Sequence, residues 1–246
     1  MKVGLFIPCY VDQFYPQVGI ASYKLLKSLG LEVHYPLDQT CCGQPMANSG
    51  FENLSQPCNE NFIRNFSGYD VIVGPSGSCV LHIKDHLHSA KNKEEAIQIK
   101  NNIFELVEFL VDVLNLENLP GSFFPYKVGL HTACHGQRGL GLSSASEIMG
   151  EKYSKPEYLL RMVKGLELVP LNRPDECCGF GGTFSIFEEA ISVKMGKDRV
   201  KDFIDNRAEY VTGGDMSCLM HLEGILKKNN SHIEVRHIAE ILATGL

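Results

Sequence analysis

Eight of the nine cysteines fall into two sets of the same order, Cys9, Cys41, Cys42 and Cys79, then Cys134, Cys177, Cys178 and Cys218. In each set a lone cysteine is followed by an adjacent pair, the pair runs straight into glycine ("TCCGQP" at 40–45, "ECCGFGG" at 176–182), and one more cysteine closes the set. The intervening lengths are 31 and 36 residues in the first set and 42 and 39 in the second, so order is kept while spacing drifts as loops do. Four thiolates are the usual complement of one iron–sulfur cluster. Structural zinc prefers two cysteines spaced two residues apart around one ion. Adjacent cysteines on a trans backbone tend to point apart, which suits two metal atoms better than one. The pattern therefore favours iron–sulfur over zinc, with a vicinal disulfide switch third. Gly43 and Gly179 would let the backbone approach bulky inorganic sulfur.

Composition narrows the surroundings of these thiols. At 246 residues, 44% hydrophobic and 21% charged, the chain can bury a core without disulfide staples. Its formal charge of −6, with no run of five or six like charges, lacks the basic footprint of a nucleic-acid binder. "MKVGLFIPCY" is too short an apolar run for a secretory core or a membrane span, so the expected location is the reducing cytoplasm with no transmembrane segment. There, many cysteines mean metal or redox chemistry.

The elements that must bring the thiols together alternate in type. "KVGLFIPC" (2–9), "LEVHYP" (31–36) and "DVIVGPSGSC" (70–79) read as strands. Residues 16–30, 62–69, 80–90 and 103–115 read as helices, and "KNKEEAIQIKNN" (91–102) as a solvated helix face. "YKVGLHTAC" (126–134) echoes the opening strand almost letter for letter and starts the cycle again. Strands follow at 166–171, 208–215 and 233–238, with helices at 156–165, 191–206 and 218–229. This alternation predicts an α/β protein of two pseudo-repeated Rossmann-like halves, residues 1–122 and 123–246, each with a mainly parallel sheet. One continuous doubly wound domain is the alternative. In such sheets ligands bind beyond the carboxyl ends of the strands, and each cysteine is expected at that edge.

The duplicated pattern resembles the cysteine-rich CCG domain of iron–sulfur oxidoreductases, such as the cysteine-rich component of heterodisulfide reductase and the iron–sulfur subunit of glycolate oxidase. Within that group "PCYVDQFYP", "TCCGQP", "PSGSCV", "CHGQR", "ECCGFGGTF" and "DMSCLMH" resemble the lactate-utilisation protein A family over essentially the whole chain. The resemblance implies an iron–sulfur electron-transfer subunit of a multi-protein system oxidising L-lactate to pyruvate, inactive without its partners. It also implies companion lactate-utilisation proteins, one of them a ferredoxin-type iron–sulfur subunit, and attachment to the membrane, if any, only through them. The broader group often supplies a fifth cysteine, where this chain has Ser76 and Asp215. Four thiolates per half support an ordinary 4Fe–4S cubane, one or two per chain. Asp215 is open to reading as an oxygen ligand or as a turn residue. The rival to this function is a zinc-stabilised or thiol-based assembly module without redox turnover.

Other residues carry less. His135, Gln137 and Arg138 follow Cys134 and are candidates to bind a small carboxylate substrate or tune the cluster, or else simply to cap the turn. His82 and His86 read as surface histidines, His221 as a support behind the cluster, and Cys58 as a small buried hydrophobe. "GFGGT" (179–183) reads as room for the cluster.

Overall fold

The structure, a computed structural model, describes all 246 residues. Eight strands form two four-stranded sheets. The first contains β1 (Lys2–Leu5), β2 (Glu32–His34), β3 (Val71–Gly74) and β4 (Ile103–Glu105) in the order β2-β1-β3-β4. The second contains β5 (Lys127–Leu130), β6 (Glu167–Leu168), β7 (Tyr210–Gly213) and β8 (Glu234–His237) in the order β6-β5-β7-β8. All pairings are parallel, with Val3 opposite both Val33 and Val71, and Val211 opposite Val235. The strands read as short apolar runs because helices cover both faces of such a sheet.

In the first half the helices are α1 (Cys9–Phe14), α2 (Pro16–Ser28), α3 (Gln44–Asn48), α4 (Gln56–Phe66), α5 (Gly77–His86), α6 (Lys93–Asn102) and α7 (Leu106–Glu108). In the second they are α8 (Lys155–Leu160), α9 (Phe184–Phe187), α10 (Glu189–Asp205), α11 (Met216–Lys228) and α12 (Ile238–Leu242). α2 shows the local logic: Pro16 begins it, Val18, Ala21, Leu25 and Leu26 form the buried stripe, and Gly30 follows its end at φ 78°.

The halves do not have separate interiors. One core cluster of 39 buried residues runs from Val3 and Leu25 through Val128 to Leu242, whereas a cluster of 13 around Phe6, Phe62 and Phe66 stays in the first half. α12, at the end of the second half, packs on α2 of the first, and α7 of the first packs on α8 of the second.

The expected helix over 103–115 is corrected at its start, because Ile103–Glu105 is the fourth strand of the first sheet. Its β-branched, fully buried Ile103 pairs with Ile72, and Glu105 turns the chain into α7. The Val107 N–H donates to Glu105 Oε2 at 2.6 Å, while the Glu105 N–H donates to Glu108 Oε2 at 3.1 Å. His237 and Glu240 cap α12 in the same way at the end of β8. The repeat thus extends to how each sheet ends.

Glu105 is fully buried and its Oε1 has no partner. Burial pushes its carboxyl up to about 8, against an ordinary value of 4.5. The folded chain then keeps a proton that the unfolded chain has lost, so stability falls as pH rises from about 4.5 to about 8 and levels off above. Glu105→Gln retains an acceptor for the cap and removes the titration. In urea titrations it should flatten the pH dependence over that window, where wild type loses up to ~1.4 kcal/mol per pH unit.

Candidate metal centre

Every member of both cysteine sets stands just beyond the carboxyl end of a strand. Cys9 opens α1 after β1, the pair 41–42 follows β2, and Cys79 lies in the first turn of α5 after β3. In the second half Cys134 begins the turn at 135–139 after β5, the pair 177–178 follows β6, and Cys218 lies in the first turn of α11 after β7. The strands end earlier than the sequence reading expects, at Leu5, Gly74 and Gly213. The outer cysteines therefore belong to helix starts rather than to strand ends or turns. A helix N-terminus brings N–H groups and partial positive charge, which favour thiolate over thiol.

Within each set the thiols form a chain of neighbours. Cys41 is the neighbour of Cys9 and Cys42, and Cys42 is also the neighbour of Cys79. Cys177 is the neighbour of Cys134 and Cys178, and Cys178 is also the neighbour of Cys218. Cys42, Cys79, Cys178 and Cys218 are buried, while Cys134 is exposed and Cys9 half-buried, so each chain of sulfurs runs from the core to an open rim.

The electrostatics single out the first cysteine of each pair. Cys41 is pushed down to about 2 by the thiols of Cys42 and Cys9, helped by the Gly43 N–H and His82, against the opposing effect of burial. Cys177 is pushed down to about 2 by Cys134 and Cys178, helped by the Gly179 N–H and His131. Cys9 and Cys134 are correspondingly raised, first by the neighbouring Cys41 or Cys177 and then by burial. Each set therefore holds one thiolate cheaply. The remaining protons must leave when a metal binds, so metal uptake releases protons and weakens at low pH.

The glycines after the pairs have a more specific task than making room. Gly43 and Gly179 sit at φ 95° and 89°, and their N–H groups reach Cys41 Sγ and Cys177 Sγ, each at 3.4 Å. A Cβ on Gly179 would stand 2.5 Å from Ser192 O, and one on Gly43 would stand 2.9 Å from Ser55 Cβ. Gly179→Ala should thus combine a disfavoured backbone, about 1–2 kcal/mol, with a clash against α10. The expected result is a lower urea midpoint and weaker metal retention, read by denaturation and metal analysis.

Several sequence readings change. His82 is buried, not on the surface: it packs behind Gly43 and feels the charge of Cys41, and burial pushes its ring down to about 4. His86 remains half-exposed, stacked on His82 at 4.9 Å. Cys58 falls in the first turn of α4, because that helix starts at Gln56 rather than at 62, and its thiol is raised by burial and by Cys41.

Asp215 and Ser76 are helix caps. Asp215 Oδ1 accepts from the Ser217 N–H at 3.2 Å, and its Oδ2 accepts from the Ser78 N–H of the other half at 2.8 Å. Ser76 accepts from the Cys79 N–H at 3.4 Å. A carboxylate engaged in this way ties the N-termini of α5 and α11 together and is not free as a ligand.

Beside Cys134, the His135 Nδ1 lies 3.9 Å from the sulfur. Arg138 pairs with Glu147 at 2.6 Å on the surface, so a carboxylate would have to displace Glu147 to use it. Gln137 is buried and donates to Ser144 O and to Asp175 Oδ1, which holds the turn. His221 Nε2 faces Ser192 O at 3.3 Å, and its ring lies 6.2 Å from that of Phe180, behind the second pair.

One residue at the site was missed altogether. A ring nitrogen of His131 and the sulfurs of Cys178 and Cys218 lie within 4.8 Å of one another, all three residues buried. The signal lay in the repeat itself: "KVGLF" and "KVGLH" match until Phe6 and His131.

The CCG cysteine-rich domain family matches residues 3–84 and 128–223, one copy per half. The chain is 40% identical over 248 residues to a protein of Oceanobacillus iheyensis named "Lactate utilization protein A", covering 99% of this chain and 97% of the relative. It is 41% identical over 246 residues to the protein of that name from Bacillus licheniformis, covering 98% and 99%. Among solved structures, a hypothetical protein from Helicobacter pylori shares the fold with a TM-score of 0.60 at 14% identity. It is matched by 100% of this chain, which spans 49% of that one.

Proposed function

The chain belongs to the lactate-utilisation protein A family, and from that membership we propose that it is an electron-transfer subunit of a system oxidising L-lactate to pyruvate. Each half, residues 1–122 and 123–246, would hold one iron–sulfur cluster of the 4Fe–4S kind. Cys9, Cys41, Cys42 and Cys79 are the ligands of the first, and Cys134, Cys177, Cys178 and Cys218 those of the second. The observation that supports this most is the duplicated chain of four neighbouring thiols at the carboxyl edge of a parallel sheet. Bound there, a cluster would supply one-electron storage, splitting the two electrons of lactate oxidation into single steps.

The protein's own contribution is arrangement. The sheets fix the sulfurs, Gly43 and Gly179 aim N–H groups at them, and buried Cys42, Cys79, Cys178 and Cys218 keep water from the inner side. The chain contains no ferredoxin run of cysteines, so a ferredoxin-type partner subunit is part of the proposal. No helix is long and apolar enough to cross a membrane. We place the subunit in the cytoplasm, with any membrane contact made by partners.

A zinc-stabilised or thiol-based module is the second reading, favoured by the compact group of His131, Cys178 and Cys218. Purification without oxygen separates the two. Brown protein containing iron and acid-labile sulfide is the expected result, and colourless protein with stoichiometric zinc would overturn the first reading.

A further inference from the structure

The two halves match up to the residue three places before each first cysteine, and there their chemistry diverges. Phe6 is fully buried, its ring edge-on to Phe62 at 5.0 Å and to Phe66 at 5.9 Å, and offers the first set no polar atom. His131, at the matching position, is 2% exposed and lies against Cys178 and Cys218.

The protonation of its ring is set from behind. Arg199, fully buried on α10, directs its Nε–H at His131 Nδ1 over 3.3 Å. A guanidinium only donates, so Nδ1 must present its lone pair, and the neutral ring carries its proton on Nε2. Nε2 is enclosed and has no hydrogen-bond partner in the metal-free chain, the cysteine sulfurs beside it included. A nitrogen that carries hydrogen does not ligate a metal, and the atoms in need of a donor beside it are the sulfurs. We infer that in the loaded site His131 Nε2–H donates to a cysteine sulfur of the second set, Cys178 or Cys218, and makes that site the stronger electron acceptor of the two. This rests on the iron–sulfur reading above.

The sign follows from charge. Reduction adds one electron to the site, and an N–H dipole with a guanidinium behind it stabilises the added negative charge. Hydrogen bonds to the sulfurs and local charge are what set such potentials. Arg199 acts through His131 and is a positioning residue.

The test is a redox titration of anaerobically loaded protein followed by electron paramagnetic resonance. Wild type should show two midpoint potentials, the higher one disappearing in Cys178→Ser. His131→Phe, which installs the first half's residue, should lower that potential by about a factor of ten in the reduction equilibrium, ~59 mV for one electron. The other potential should stay where it is. His131→Gln, which keeps an N–H donor, should recover part of the loss. Loaded His131→Phe protein with both potentials unchanged would overturn this inference alone. Protein that binds no iron, or binds it only in the first half, would overturn it too, the former together with the proposed function. Nitrogen NMR of the metal-free wild type gives an independent reading: a proton on Nε2 supports the assignment, and a proton on Nδ1 refutes it even should His131→Phe fail to fold.

Discussion

Cys178→Ser protein, prepared without oxygen, should retain about half the iron and acid-labile sulfide of wild type, with the first half keeping its share. Cys178 is the joint of the second set: its thiol touches Cys177 and Cys218, and the Phe180 N–H donates to its sulfur at 3.4 Å. Serine keeps the shape and withdraws the soft anionic ligand that iron and sulfide favour. Cys42→Ser should empty the other half in the same way, because Cys42 joins Cys41 to Cys79. Cys58→Ser, outside both chains of sulfurs, is the control and should leave the metal content unchanged. Iron and sulfide at wild-type levels in Cys178→Ser would remove that residue from the ligand set.

Arg199→Met should be the most destabilising single change in the second half, at about 3–5 kcal/mol. The guanidinium is fully buried and donates to Leu130 O at 3.1 Å, Arg173 O at 2.6 Å and Pro174 O at 3.3 Å, besides His131. It also faces Asp202 Oδ2 at 3.4 Å and lies over the Phe203 ring at 4.5 Å. Burial lowers it to about 10, opposed by Asp202 and Glu176, so it stays charged at neutral pH. The Met side chain fills the space but removes the guanidinium from three carbonyls and leaves the buried Asp202 carboxylate without its cationic partner. Arg199→Lys should rescue little, because one ammonium cannot span a fork of five donors. Urea denaturation of the metal-free protein isolates this from any effect of metal. A midpoint close to wild type would show that the network contributes nothing to stability. Because Arg199 ties the end of β5 to the loop at 173–174 before the second pair, its loss should also loosen that pair.

What lies in the linear chain is whatever a local rule or a repeat can encode. Apolar runs such as "KVGL" and "VIVG", alternating with amphipathic stretches, specify parallel sheets, because only buried strands dispense with polar alternation. The two ordered cysteine sets could be read for the same reason, since loops drift in length without changing order. β4 escaped because three residues, Ile103–Glu105, are too few to show a period and merge with the helix behind them. Long-range contact decided the rest. His82 reads as a surface residue on its own helix until the Gly43 turn closes over it. Asp215 serves a helix start 137 residues away, and His131 gains its proton's position from an arginine 68 residues downstream. A side chain's partners across such separations depend on how the layers stack, which no window of neighbouring letters contains.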